Sequence, residues 1–110
     1  MADTIKVLAS LAPVSAATLA DFYTVGASKS TTISSITVCN TSATATSFRI
    51  AVAVGGVAAA TNQYIYYDQA IDGNSTYVAT IGITLAATDV VRVYATLATL
   101  SFNAFGVEVA

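Results

Sequence analysis

The sequence predicts an all-β chain, a single antiparallel β-sandwich or jelly-roll-like domain of about eight strands. Three observations lead there. Apolar and polar residues alternate with a period of two over almost half of the chain, the apolar runs are rich in Val, Ile, Thr and Tyr, and Gly, Asn, Asp and Ser interrupt them at short spacing. A length of 110 residues suits one domain, and no repeat, linker or charge block divides it, so residues 1–110 read as one unit.

The alternation places strands at approximately Thr4 to Leu8, Leu19 to Val25, Thr31 to Asn40, Thr46 to Val54, Gln63 to Ala70, Thr76 to Thr84, Val90 to Thr96 and Thr99 to Val109. In the third strand Ile36 and Val38 share a face, while Ile33 is out of phase across Ser34-Ser35, which predicts a β-bulge there. In the fourth, Phe48, Ile50, Val52 and Val54 fall on a core face, and Ser47, Arg49, Ala51 and Ala53 fall on the other. Asp72-Gly73-Asn74-Ser75 and Ala86-Ala87-Thr88-Asp89 are turn-forming connections. Gly55 to Asn62 is either a wide loop or one helical turn. The expected core is Ile36, Val38, Phe48, Ile50, Val52, Ile81, Val91, Val93, Leu100 and Phe102.

Composition narrows the function classes. The chain has no His, no Trp and one Cys, with four basic and six acidic residues. Nucleophilic catalysis needs a base beside the nucleophile, and a metal site needs clustered His, Cys or carboxylates; neither can be assembled from this pattern. No catalytic residue, metal ligand or cofactor is expected, and the chain reads as a non-enzyme. Asp68, Asp72 and Asp89 could in principle form a carboxylate pair or Ca²⁺ site, but each reads more simply as a turn or loop carboxylate. A net charge of -2, with Lys6, Lys29, Arg49 and Arg92 scattered, argues against nucleic acid.

Val7 to Ala17 superficially resembles a secretion signal, and Ile50 to Tyr67 a membrane span. Asp3 beside Lys6, Pro13 and the serines weaken the first, and Gly55-Gly56 with Thr61-Asn62-Gln63 break the second, so neither is expected. Asn40-Thr41-Ser42 and Asn74-Ser75-Thr76 match a glycosylation pattern but read as turns. Cys39 is expected to be a buried free thiol.

Apolar residues make up 55% of the chain and charged residues 9%, and a domain this small cannot bury so much apolar surface. Self-association is therefore expected. Tyr64, Tyr66 and Tyr67 place aromatics on both faces of one strand, and Arg49 and Arg92 lie on polar faces within reach of Asp68 or Glu108. These five residues, Tyr64, Tyr66, Tyr67, Arg49 and Arg92, are the candidate interface, with a sugar-stacking platform as the alternative use of the tyrosines.

The segments Ser34-Ser35-Ile36-Thr37-Val38-Cys39-Asn40, Phe48-Arg49-Ile50-Ala51-Val52, Tyr64-Ile65-Tyr66-Tyr67-Asp68, Asp89-Val90-Val91-Arg92-Val93-Tyr94 and Phe102-Asn103-Ala104-Phe105-Gly106-Val107-Glu108 resemble a family of small tailed-bacteriophage structural proteins. The likeness spans about Phe22 to Val109 and rests on framework motifs, so it implies no active-site residue. It implies a virion component: foremost a capsid decoration or cement protein, alternatively a tail, collar or fibre module, or a carbohydrate-binding host-recognition domain. The implied partners are other copies of the chain, with a trimer preferred by analogy with shell and fibre symmetry, and virion proteins such as the major capsid protein. No membrane partner is expected.

Overall fold

A computed structural model describes residues 3–13 and 15–110. Nine strands follow in order: β1 Asp3–Leu11, β2 Thr18–Thr24, β3 Ser30–Asn40, β4 Thr46–Ala53, β5 Tyr64–Ile71, β6 Thr76–Ala79, β7 Ile83–Leu85, β8 Val90–Ala95 and β9 Leu100–Val109. All pairings are antiparallel and fall into two sheets. The first runs β1-β9-β3-β6, with β7 also on β3, and the second runs β2-β8-β4-β5.

β6 and β7 both pair with β3 and act as one interrupted strand. The chain is then a long hairpin whose arms meet as β1·β9, β2·β8, β3·β6/β7 and β4·β5, wrapped so that successive pairs alternate between sheets. That winding is a jelly roll, and the β-sandwich expected from the alternation is present. Among the described residues there is no α-helix, and no helix long and apolar enough to cross a membrane.

The core lies between the sheets. Phe48 of the second sheet meets Phe102 of the first with ring centroids 6.2 Å apart, edge to face, and also contacts Tyr77 at 5.4 Å and Tyr66 at 6.1 Å. Ile36, Val38, Ile50, Val91, Val93 and Leu100 are buried around them, and Val52 is partly buried against the same cluster. The bulge expected near Ser34 is present: the register of β3 against β9 shifts between Ile33 and Ser35, which turns Ile33 inward alongside Ile36.

Four expectations need correction. Ile81 is 45% exposed, because the segment Thr76 to Thr84 is not one strand. It breaks at Thr80–Gly82, where Gly82 takes φ 61°, a conformation that carries Ile81 off the sheet. Val54 is 72% exposed, since β4 ends at Ala53 and the chain enters a 3-10 turn over Val54–Gly56. Ala51 and Ala53, assigned to the solvent face, are buried. They share that face with Arg92, which holds the Gly56–Val57 loop over it. Cys39 is only half-buried, between the inward-facing Val38 and Asn40 and opposite Thr76 and Ser101, so its side of β3 is the outer one.

The remaining connections follow their local chemistry. Gly55 to Asn62 holds an extended stretch between two 3-10 turns, Val54–Gly56 and Thr61–Gln63. β1 reaches past Leu8 to Leu11 because a bulge between Val7 and Ala9 absorbs the break in alternation. The stretch read against a secretion signal includes Val14, which lies outside the described residues.

Asn40 is no surface acceptor. It is buried, its Nδ2 donates to the carbonyls of Thr44 at 2.8 Å and Asp72 at 3.2 Å, and its Oδ1 accepts from the Ser42 amide at 3.1 Å. It thereby ties the β3–β4 turn to the β5–β6 turn. Asp89 does the same at the opposite end, accepting from the amides of Gly55 and Ala86, each at 2.9 Å.

Candidate functional site

The outer face of the second sheet carries a polar-aromatic cluster centred on Arg49. Arg49 on β4 and Tyr94 on β8 are directly opposite in register. On the other side of Arg49, β5 bulges twice: its register against β4 shifts between Phe48 and Ile50 and again between Ile50 and Ala51, and Asp68 takes φ 51°. These bulges override simple alternation, so that Tyr64 and Tyr67 both come to the Arg49 side while Tyr66 turns into the core.

The Arg49 guanidinium carbon sits 4.1 Å from the Tyr67 ring centroid, 4.2 Å from that of Tyr94 and 5.9 Å from that of Tyr64. Its Nε donates to Asp68 Oδ1 at 2.6 Å and its Nη2 to Oδ2 at 3.3 Å. The bond to Asp68 raises the pKa of the guanidinium, with the Asp68 charge and the nearby tyrosine hydroxyls adding to it. Tyr64 and Tyr67 meet edge to face at 4.9 Å, and Tyr67 remains 57% exposed. The arrangement is a planar cation held between aromatic rings, with an outward-facing phenol at its rim.

Of the five residues nominated from sequence, Arg49, Tyr64 and Tyr67 are brought together. Tyr66 is not among them, being packed against Phe48 and Tyr77, where burial and the neighbouring Tyr77 hydroxyl raise its pKa. Arg92 lies two residues from Tyr94 on the same face but makes a separate contact. Its Nε donates to Asp21 at 2.9 Å and its Nη atoms to the carbonyls of Val57 at 2.8 Å and Gly56 at 3.1 Å. Arg49 pairs with Asp68 as expected, whereas Arg92 pairs with Asp21 and not with Asp68 or Glu108. Tyr94 was missed, although its spacing of two from Arg92 already put both on one face.

Glu108 belongs to the opposite sheet. Its Oε1 lies 2.8 Å from Lys6 Nζ, and its Oε2 accepts from the Tyr23 hydroxyl at 2.8 Å. With the Tyr23 proton committed there, the Thr31 hydroxyl donates to the Tyr23 oxygen at 2.7 Å. The Lys6 hydrogen bond, then that of Tyr23, lowers the Glu108 pKa below its usual value. Burial, with Glu108 nearby, raises that of Tyr23.

A carboxylate whose folded pKa is depressed stabilises the fold above its unfolded pKa and loses that contribution as pH falls through the folded one. Denaturation midpoints are therefore expected to drop as pH is lowered below about 4, and Glu108→Gln should flatten that dependence. Tyr23, with its pKa raised, contributes stability that is fully present below its unfolded value and is lost as pH rises through the folded one; Tyr23→Phe should blunt the alkaline limb. Equal acid sensitivity in the wild-type and Glu108→Gln proteins would contradict this assignment.

The outer face of the first sheet differs in character. Ile5 is 85% exposed, and Val7, Val78 and Phe105 are exposed as well. The register sets Ile5 opposite Val107 and Val7 opposite Phe105, so an apolar strip follows β1 and β9. A cavity of about 220 Å³ opens among Leu11, Ala12, Pro13, Ser15, Thr18 and Ala20 and carries no ionisable group. Among the described residues no group of three or more His, Cys, Asp or Glu could hold a metal ion. Asp68 and Asp89 are each engaged in their own contacts.

Comparison with family models, curated proteins and solved structures finds no significant match to this chain.

Proposed function

We propose that this chain is a non-enzymatic structural subunit of a tailed-bacteriophage particle, foremost a capsid decoration or cement protein that stabilises the virion by binding copies of itself and the major capsid protein. The observation that carries the reading is the apolar strip of Ile5, Val7 and Phe105 left open to solvent on an otherwise well-packed sandwich. Exposed apolar surface of this kind is usually covered by a protein partner.

Three further features support it. Jelly rolls serve as capsid and lectin domains, an argument by analogy of fold. Seven of the ten charged side chains are engaged in structural contacts: Arg49 with Asp68, Arg92 with Asp21, Lys6 with Glu108, and Asp89 with two backbone amides. The resemblance of the β3, β4, β5, β8 and β9 sequences to phage structural proteins points the same way.

The test is omission and add-back. Particles assembled without the protein should lose heat or osmotic stability and regain it when purified protein is added, and quantification should find the protein in hundreds of copies per virion. A handful of copies would move the assignment to a tail, collar or fibre module. The exposed Tyr67 ring beside Arg49 favours one second reading, binding of a host glycan. Glycan-array binding lost on Tyr67→Ala, with particle stability unaffected by omission, would establish that reading in place of the first.

A further inference from the structure

The edges of a sandwich are where it is open to further pairing, and this chain treats its edges unequally. β2 is kinked by a bulge between Asp21 and Tyr23, and β5 by two bulges around Asp68. β6 and β7 are four and three residues long and separated by Thr80–Gly82. Bulges, breaks and short lengths of this kind stop another strand from adding. β1 lacks such protection over Asp3–Val7, five residues in unbroken register with β9, its own bulge falling after Val7. Among the described residues its other side is unpaired, and along it Ile5 and Val7 are exposed.

We propose that Asp3–Val7 pairs antiparallel with the same segment of a second copy, about a two-fold axis at Ile5, joining two first sheets into one continuous sheet. The proposal rests on the reading of the chain as a self-associating building block and names the contact. Residues directly opposite in an antiparallel pair share a face, so only registers that match odd positions with odd keep Ile5 and Val7 of both copies on the outer side. An axis at Lys6 would set two ammonium groups opposite each other, and an axis at Thr4 would pair only Asp3–Ile5 of the described strand, whereas an axis at Ile5 pairs all of Asp3–Val7. An axis at Val7 would run into the bulge before Ala9.

The axis at Ile5 sets the most exposed apolar side chain against its twin, Thr4 against Lys6, and Asp3 against Val7. No like charges are then opposed. A closed trimer, expected by analogy with shell symmetry, would need β1 to join a different edge of the next copy, and the other edges are bulged or broken. An isologous pair uses the open edge twice.

The experiment is disulfide trapping in a Cys39→Ser background. Opposed residues of an antiparallel pair have Cα atoms about 4.5–5.5 Å apart, within disulfide reach. Ile5→Cys should form a covalent dimer under mild oxidation faster than Val78→Cys, an exposed control on the opposite edge, by about tenfold or more, because pre-pairing raises the effective thiol concentration. Light scattering of the unsubstituted protein at micromolar concentration should give a dimer that Ile5→Lys converts to monomer. Equal trapping at both positions, or a dimer that survives Ile5→Lys, would overturn the contact. Monomeric protein that still restores particle stability would overturn this contact while leaving the structural role intact.

Discussion

Replacing Phe48 by alanine is expected to cost the fold about 3–5 kcal/mol, the range for emptying a buried aromatic site. Phe48 is completely buried and sits where the sheets meet, its ring in contact with Phe102 across the interface and with Tyr66 and Tyr77 beside it. Those neighbours are anchored on strands paired on at least one side, so they cannot collapse freely into the space left behind. Small domains are stable by only about 5–15 kcal/mol, so the variant should be marginal at 37 °C. Urea unfolding followed by tyrosine fluorescence measures the loss. Ile81→Ala, at an exposed site in the break between β6 and β7, should stay within about 0.5 kcal/mol of wild type. A loss below about 1 kcal/mol for Phe48→Ala would mean that the core is centred elsewhere.

Gly106→Ala should be nearly as damaging, about 3 kcal/mol, at the upper end of what overpacking costs. Gly106 lies on β9 between Ile33 of β3 and Lys6 of β1, in the middle of the first sheet. A Cβ there would run into the Thr32 carbonyl oxygen and come within 2.9 Å of the Ile33 Cα. Both are backbone atoms held by the bulge that follows Ile33, so relief requires moving β3 relative to β9. Because β3 also carries β6 and β7, the strain should spread across the sheet. Thermal unfolding of the two proteins compares them directly. An alanine variant within about 1 kcal/mol of wild type would show that the two strands separate more easily than their register implies.

Much of the candidate site was legible in the sequence, and its omissions have a common cause. Asp68 was one of the two partners open to Arg49 from sequence, and Arg49 takes it because a strand pair joined by one loop brings near neighbours in sequence together. Asp21 was not matched to Arg92, because the two are 71 positions apart and meet only through the β2–β8 register. Uniform alternation sets Tyr64 and Tyr66 on one face and Tyr67 on the other, and it cannot anticipate the two bulges in β5 that bring Tyr64 and Tyr67 together and turn Tyr66 inward. The apolar strip on β1 and β9 was foreseen only as an excess of apolar residues without a location, since which strand becomes an edge is a property of the sheet order.

By itself the sequence determined the all-β class, the positions of most strands, the bulge after Ile33, the greater part of the core and the scarcity of groups able to do chemistry. Each of these depends on residue type and on a period of two along the chain. The tertiary structure alone decided the jelly-roll winding, the split of β6 from β7, the aromatic clasp on Arg49 and the open edge at Asp3–Val7. Each of those depends on which distant strands pair and in what register, and that choice is made by the free energy of the whole sandwich, to which no local run of side chains is sufficient.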